Sequence, residues 1–463
     1  MANNDKSIFA LSSPWGSSGI CVIRVSGKEC RKLMYMMCSI RKPKPRYIYN
    51  CNLKDAQQNI IDNIMVAYFK SPKSFTGEDM LELYPHGSIA IIKRVLSELS
   101  NLSNLEPAQP GEFLKKAFIN KKISLIQAEG INNLIQSETE QQRIVSSNMS
   151  FSKTTRLCEM IKDKITYLGA LVDATIEFSE EDESIQKSNI KKLFIKVKEE
   201  LSNQIKSIQT TKKIFNGINV IVFGPPNVGK SSLFNLITNS DHSIITPKAG
   251  TTRDLINVAL DIEGHKINFT DTAGLRDTKD NIETIGIKRT TKKIESEDKI
   301  ILVLSPDAYN KKNLNKLRKL FKKIKKKDMI VIFNKEDLMN FKAIKEKWLS
   351  ALPFLKKTPF ITSCCVNKSK NNQIMKKISK FVLNEFVEKE TFNDNNLFFT
   401  EYRHESHLKK CLKFIKSSYN LLEKVELCSE ELRLALKEIE KIEGNVDKEV
   451  KLDIIFNKFC IGK

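Results

Sequence analysis

Gly224-Pro225-Pro226-Asn227-Val228-Gly229-Lys230-Ser231-Ser232 is the stretch on which the reading of the fold turns. It satisfies G-x-x-x-x-G-K-[ST], a loop whose backbone N–H groups wrap an anionic phosphate. An apolar strand, Ile218 to Phe223, leads into it, and Ser231-Ser232-Leu233-Phe234-Asn235-Leu236-Ile237 continues as a helix. That order aims loop amides and a helix N-terminus at one anion. Gly224 and Gly229 permit the backbone path, and Asn227, Val228 and Ser232 complete the binding loop. Lys230 is expected to act as a point charge on the β and γ phosphates, with the Ser231 hydroxyl as a ligand of Mg²⁺.

Two further motifs follow in the order this chemistry requires. Asp271-Thr272-Ala273-Gly274 closes the strand-like run Ile267 to Phe269, where a carboxylate can hold the magnesium shell and a glycine N–H can meet the γ phosphate. Asn334-Lys335-Glu336-Asp337 ends the run Met329 to Phe333 and has the N-K-x-D form. The Asp337 carboxylate can accept from the N1 and N2 protons of guanine, an arrangement adenine does not offer, so the expected nucleotide is GTP. Ser363-Cys364-Cys365 stands where such domains usually carry Ser-Ala-Lys, and its backbone can still reach the guanine O6. Leu275 occupies the place of a water-orienting Gln. An apolar side chain cannot orient water, which makes Glu283 the candidate catalytic group.

Outward from this core, residues 216–382 alternate buried-strand runs with helical stretches, as a doubly wound sheet requires. Residues 1–118 mix short strand runs with turn clusters and read as α+β. A helical period governs 119–215, through Ile161, Ile165, Leu168, Val172 and Ile176, and returns over 383–463 at Leu408, Leu412, Ile415, Tyr419 and Leu422. A last helix is expected around Leu432 to Ile442, capped by Ser429 and ended by Gly444. The fold class is therefore multidomain α/β: an N-terminal α+β domain, a discontinuous α-helical domain, and an inserted Ras-like P-loop domain. Within the insert, Lys311 to Lys327 is Lys-rich but carries an apolar face of Leu314, Leu317, Leu320, Phe321 and Ile324. It reads as a solvated helix face, with nucleic-acid contact as the alternative.

Over 463 residues, 77 Lys and Arg face 55 Asp and Glu, a formal charge of +22. Such a surface suits a polyanion, although Lys, Asn and Ile abound throughout and part of the basicity is compositional. Ten cysteines are scattered without a CxxC pair or zinc-finger spacing. Neither a leader-like start nor an apolar run of membrane-spanning length is seen, so a cytoplasmic protein with reduced thiols and no membrane partner is expected.

Ala249-Gly250-Thr251-Thr252-Arg253-Asp254, DTAGLR at 271–276 and IGIKR at 285–289 resemble the GTPases of the Era and Der type. SFTGEDMLELYPHG at 74–87, PGEFLKKAFINKKISLIQAE at 110–129 and the terminal FCIGK narrow the likeness to the MnmE (TrmE) family of bacterial tRNA modification GTPases, over essentially the whole chain. The resemblance implies a folate-binding, dimerising N-terminal domain. It implies a homodimer joined in a heterotetramer with the flavoprotein MnmG, which carries FAD and uses NADH. Together they would install an aminomethyl-type group at C5 of wobble uridine U34 of certain tRNAs, with one carbon from a 5-formyl or methylene tetrahydrofolate.

Carried over residue by residue, the resemblance places Arg24, Glu82, Lys122 and Lys463 at folate, the last requiring the tail to fold back on the N-terminal domain. Cys460 matches the cysteine of the C-terminal motif and is the thiol to which a chemical role falls. Thr246, Pro247, Lys248, Ala249, Gly250 and Thr251 match a nucleotide-contacting loop; Asn227, Thr246, Lys248 and Thr251 would hold K⁺, and Thr252 would join Ser231 on Mg²⁺. Pro14-Trp15-Gly16-Ser17-Ser18-Gly19 departs from the more glycine-rich loop of the family. A ribosome-assembly GTPase is the alternative, but neither a KH-like module nor a second P-loop is found. A non-catalytic nucleotide-regulated scaffold, suggested by Leu275, is the third reading.

Overall fold

The computed structural model describes residues 6–174, 183–238, 244–245, 257–271, 294–323, 328–364, 371–387, 398–444, 455–457, 459 and 462. The chain divides into two compact units, one of residues 1–135, 147–199 and 406–463, the other of 136–146 and 200–405.

In the first unit a six-stranded sheet is formed by β1 (Ser7–Leu11), β2 (Ile23–Ser26), β3 (Ile48–Lys54), β4 (Ile60–Phe69), β5 (Met80–Tyr84) and β6 (Leu105–Pro107). Its order is β3-β4-β5-β2-β1-β6, antiparallel except for β1 with β6. Alternation sends Phe9, Ile23, Val25, Val66, Leu81 and Leu83 to one face, where they are buried in one cluster with side chains of α1 (Cys30–Cys38) and α2 (Ile89–Ser100). The opposite face carries Ile8, Ala10, Met80 and, from α3 (Glu112–Ile119), Phe113. Arg24 and Glu82 share that second face by parity.

The helical part comprises α4 (Leu125–Ile135), α5 (Glu140–Ser150), α6 (Lys153–Ala174) and α7 (Glu183–Asn216). It resumes after the insert with α12 (Tyr402–Asn420) and α13 (Val425–Glu443). The stripe expected on α6 is buried at Ile161, Ile165, Leu168 and Val172, and α13 packs against α6. Two details differ from expectation. The last helix starts at Val425, with Lys424 at its cap, so Ser429 lies inside it. The apolar stripe begins one turn earlier than read, at fully buried Cys428, and its packing draws the helix start forward. Leu422 falls in the turn after α12. Gly444 ends α13 at φ 115°, as expected.

The second unit holds a seven-stranded sheet: β7 (Ile218–Phe223), β8 (Ile244–Ile245), β9 (Asn257–Ile262), β10 (His265–Asp271), β11 (Lys299–Leu304), β12 (Asp328–Phe333) and β13 (Phe360–Thr362). Its order is β13-β12-β11-β7-β10-β9-β8. The strands from β13 to β10 run parallel, and β9 and β8 continue antiparallel. Its helices are α8 (Lys230–Thr238), α9 (Lys311–Lys323), α10 (Phe341–Ala351) and α11 (Asn371–Val387). The near-continuous apolar strands are buried on both faces, as a parallel sheet demands. In such a sheet, ligands bind beyond the carboxyl ends of the strands.

Candidate functional site

Pairing of β7 with β10 and β11 sets Asp271 opposite Val222 and Leu302 opposite Phe223, so the motif-bearing strand ends lie side by side. The loop leaves β7 at Gly224, where a Cβ would stand 2.2 Å from the Val303 carbonyl oxygen. Gly229 has φ +92°, and a Cβ there would meet the Asn334 amide nitrogen at 2.2 Å. Both glycines are therefore required by geometry. Val228, fully buried, anchors the loop in the core. Lys230 opens α8, and its ammonium donates to the carbonyls of Gly224 at 3.1 Å and Pro225 at 2.8 Å, folded back over its own loop. Ser231 and Ser232 are exposed in the first helical turn. Asn227, at φ +62°, is exposed at the rim.

The N-K-x-D loop is tied to this loop by the buried Asn334 amide. Asn334 donates from Nδ2 to the Val228 carbonyl at 2.9 Å, and its Oδ1 accepts from the Ser363 hydroxyl at 3.0 Å. Cys364 donates its thiol to Asp337 Oδ1 at 3.2 Å, so the carboxylate of the N-K-x-D motif is held by a sulfur donor. Lys335, at φ +63°, is ion-paired with Asp307 at 2.5 Å. Partial burial favours the neutral acid at Asp307, but hydrogen bonds from Lys335 and Ser305 outweigh it and hold the carboxyl below its ordinary range. Trp348 Nε1 donates to the Ser305 carbonyl at 3.2 Å, fixing the turn that presents Asp307. Sequence reading missed Asp307 and Ser305. The turn signal Ser-Pro-Asp after a buried strand was the one available sign of them.

In the first unit, register places Arg24 directly opposite Glu82. Arg24 Nε donates to Glu82 Oε1 at 2.7 Å, and the Tyr84 hydroxyl donates to Oε2. Burial, then the hydrogen bond to Glu82, raises the Tyr84 phenol above its ordinary range, so it remains a donor. The guanidinium keeps Nη donors for an anionic group, and each carboxylate oxygen keeps a further lone pair. Those groups fit the carboxylates and ring edge of a folate. Lys122 does not bond to this pair; its ammonium donates to the Pro72 carbonyl at 3.0 Å. Nearby, Asn120 donates to the Thr76 carbonyl at 2.7 Å, while Ser26 meets Thr76 at 2.7 Å and Glu78 at 2.8 Å. Lys116 then pairs with Glu78 at 2.9 Å.

The chain end does return to this domain. Ser12 donates to the Gly462 carbonyl at 2.9 Å, and Phe456 and Phe459 pack with Leu114 and Leu125. Gly462 has φ +85° and no room for a Cβ, which would lie 2.4 Å from the Leu11 carbonyl oxygen. Leu11 neighbours Ala10, the β1 partner of Arg24. Thr246 to Thr252, Thr272, Ala273, Gly274, Leu275, Glu283, Cys365, Cys460 and Lys463 lie outside the described residues.

A parallel sheet with a glycine-forced phosphate loop, an aspartate at the neighbouring strand end and a hydrogen-bonded N-K-x-D loop together define a P-loop GTPase. The family described as the GTP-binding protein TrmE N-terminus matches residues 7–122, and that described as the MnmE helical domain matches residues 125–460. A tRNA modification GTPase MnmE of Ehrlichia ruminantium is 36% identical over 98% of this chain and 99% of its own. One from Aquifex aeolicus is 34% identical over 98% and 99%. Among solved structures, Era of Aquifex aeolicus bound to GDP and AlF4⁻ aligns at 24% identity over 42% of this chain and 66% of its own, with a TM-score of 0.29. The chain belongs to the MnmE family of tRNA modification GTPases.

Proposed function

We propose that this protein hydrolyses GTP to drive tRNA modification at C5 of wobble uridine U34, acting as a homodimer in a heterotetramer with MnmG. The observation that carries the reading is the buried Asn334, which makes the phosphate loop and the guanine-reading loop one hydrogen-bonded unit. Binding of base and phosphates is then coupled, and the pocket is preorganised for a guanine nucleotide.

Within that reading Lys230 leaves its loop carbonyls for the β and γ phosphates. Ser231 and Thr252 ligate Mg²⁺, with Asp271 in its outer shell. Asn227, whose side chain has no hydrogen-bond partner among the described residues, joins Thr246, Lys248 and Thr251 on K⁺. Such an ion supplies positive charge where negative charge grows between the β and γ phosphates. Glu283 orients the attacking water that Leu275 cannot. Arg24, Glu82, Lys122 and Lys463 take a tetrahydrofolate derivative, while FAD and NADH act on MnmG. Cys460, the cysteine of the C-terminal FCIGK motif, is assigned a chemical role. The work is done by an N-terminal domain of 1–118, helical parts 119–215 and 383–463, and a G domain of 216–382. Among the described residues no helix is long and apolar enough to cross a membrane.

GTP turnover in potassium against sodium tests the ion, and faster turnover in potassium is expected; equal, slow rates in both would remove it. Glu283→Ala should bind GTP normally while turnover collapses. Mass spectrometry of wobble uridines from cells lacking the gene tests the substrate, and unaltered U34 would sink that assignment.

A further inference from the structure

Helix α9, KKNLNKLRKLFKK, puts seven basic residues and no acidic one into thirteen positions. Two lysines open it, at the end where the helix dipole favours carboxylates, and Lys312 and Lys316 repel at i,i+4 spacing. It persists because Leu314, Leu317 and Leu320 are buried in the core of the second unit. Lys311, Lys312, Lys316, Arg318 and Lys319 are left exposed on the outward side. Among the described residues Lys311, Lys312, Lys316 and Lys319 form no ion pair. Lys312, Lys316 and Lys319 share one face, a stripe about 10 Å long at the rise of a helix.

The surface extends past the helix. Arg318 donates to the Ala351 carbonyl at 3.0 Å, and the Phe321 and Phe354 rings lie 4.7 Å apart. These contacts bring up the turn Pro353–Lys357, whose Lys356 and Lys357 are exposed. Lysine-rich composition alone does not account for the patch, because α13 of the same chain sets six glutamates against three basic residues in nineteen. A helix that breaks charge rules locally without a protein partner is a candidate for function.

We propose that the outward face of α9, with Lys356 and Lys357, holds the phosphodiester backbone of the tRNA substrate, an inference that rests on the tRNA reading above. Unpaired ammonium groups on a rigid helix gain affinity by releasing counterions from phosphate, and such contacts position an RNA without reading its sequence.

The test is full-length protein carrying Lys311→Gln, Lys312→Gln, Lys316→Gln and Lys319→Gln together, titrated with tRNA across a range of salt. The expected result is an affinity loss on the order of tenfold or more and a salt slope shallower by about three. GTP affinity and melting temperature should hold, since the buried face is untouched. The corresponding four Lys→Arg changes should restore both affinity and slope. Unchanged tRNA affinity and slope in the Gln variant overturn the inference while leaving the tRNA reading intact. Loss of binding to phosphatidylglycerol vesicles with tRNA binding retained also overturns it, assigning the patch to a membrane surface. Absence of tRNA binding by the unaltered protein overturns the functional reading and the inference with it.

Discussion

At the nucleotide pocket the loop between β7 and α8 is shaped by its main chain, through two glycines at which a Cβ would collide with Val303 or Asn334. On the N-terminal sheet the candidate binding groups are side chains, and Arg24 meets Glu82 only because β2 and β5 pair in that register. The first kind of site tolerates almost no change in its loop and writes itself into a short motif. The second tolerates change in its neighbours but depends on alignment of segments 58 residues apart in the chain.

The largest test of this contrast is Gly229→Ala. A Cβ at positive φ, pressed on the Asn334 amide, breaks the link between the two nucleotide loops. GTP affinity should fall by about 100-fold or more, read by titration. A mild loss would show that the loop adapts and that the pocket is not built on its backbone.

Arg24→Ala comes next, with folate affinity expected to fall about 10- to 100-fold, since a charge-assisted hydrogen bond is removed and Glu82 loses a partner. GTP affinity should stay the same in the same protein. A fall in both would mean that the two sites are not independent.

Cys364→Ala sharpens the comparison within the pocket. The thiol is a weak donor to Asp337, so GTP affinity should drop by only about two- to fivefold, and Cys364→Ser should restore it. A loss as great as that of Gly229→Ala would move this side chain into the set the pocket cannot lose.

The smallest effect is on acid stability, where the two regions should behave alike. At Asp62 burial favours the neutral acid, but hydrogen bonds from the His86 backbone and ring prevail and depress the carboxyl, as Lys335 and Ser305 do at Asp307. A carboxyl depressed in the folded state adds stability above its unfolded value of about 4, lost as pH falls through the folded value. Melting temperature should therefore decline below about pH 4, and Asp62→Asn should flatten that decline. An unaltered profile would show that the pair contributes nothing in solution.

Much of the architecture was legible because its causes are local. The strands β7, β11 and β12 announce themselves as continuous apolar runs, and the Gly444 helix end follows from a left-handed position that glycine fills. The start of α13 was misplaced at Ser429, since the burial of Cys428 against the helical bundle is not a local property.

By itself the sequence determined a P-loop between strand and helix, an N-K-x-D motif at a strand end, and a basic helix with one apolar face. Each rests on residue types at fixed short spacing, which backbone geometry makes obligatory. Only the tertiary structure decided that Asp307 holds Lys335, that Cys364 holds Asp337, that Arg24 and Glu82 are partners, and that Gly462 docks beside Leu11. Those contacts join segments far apart in the chain, and strand order and register, which no short motif encodes, bring them within hydrogen-bond reach.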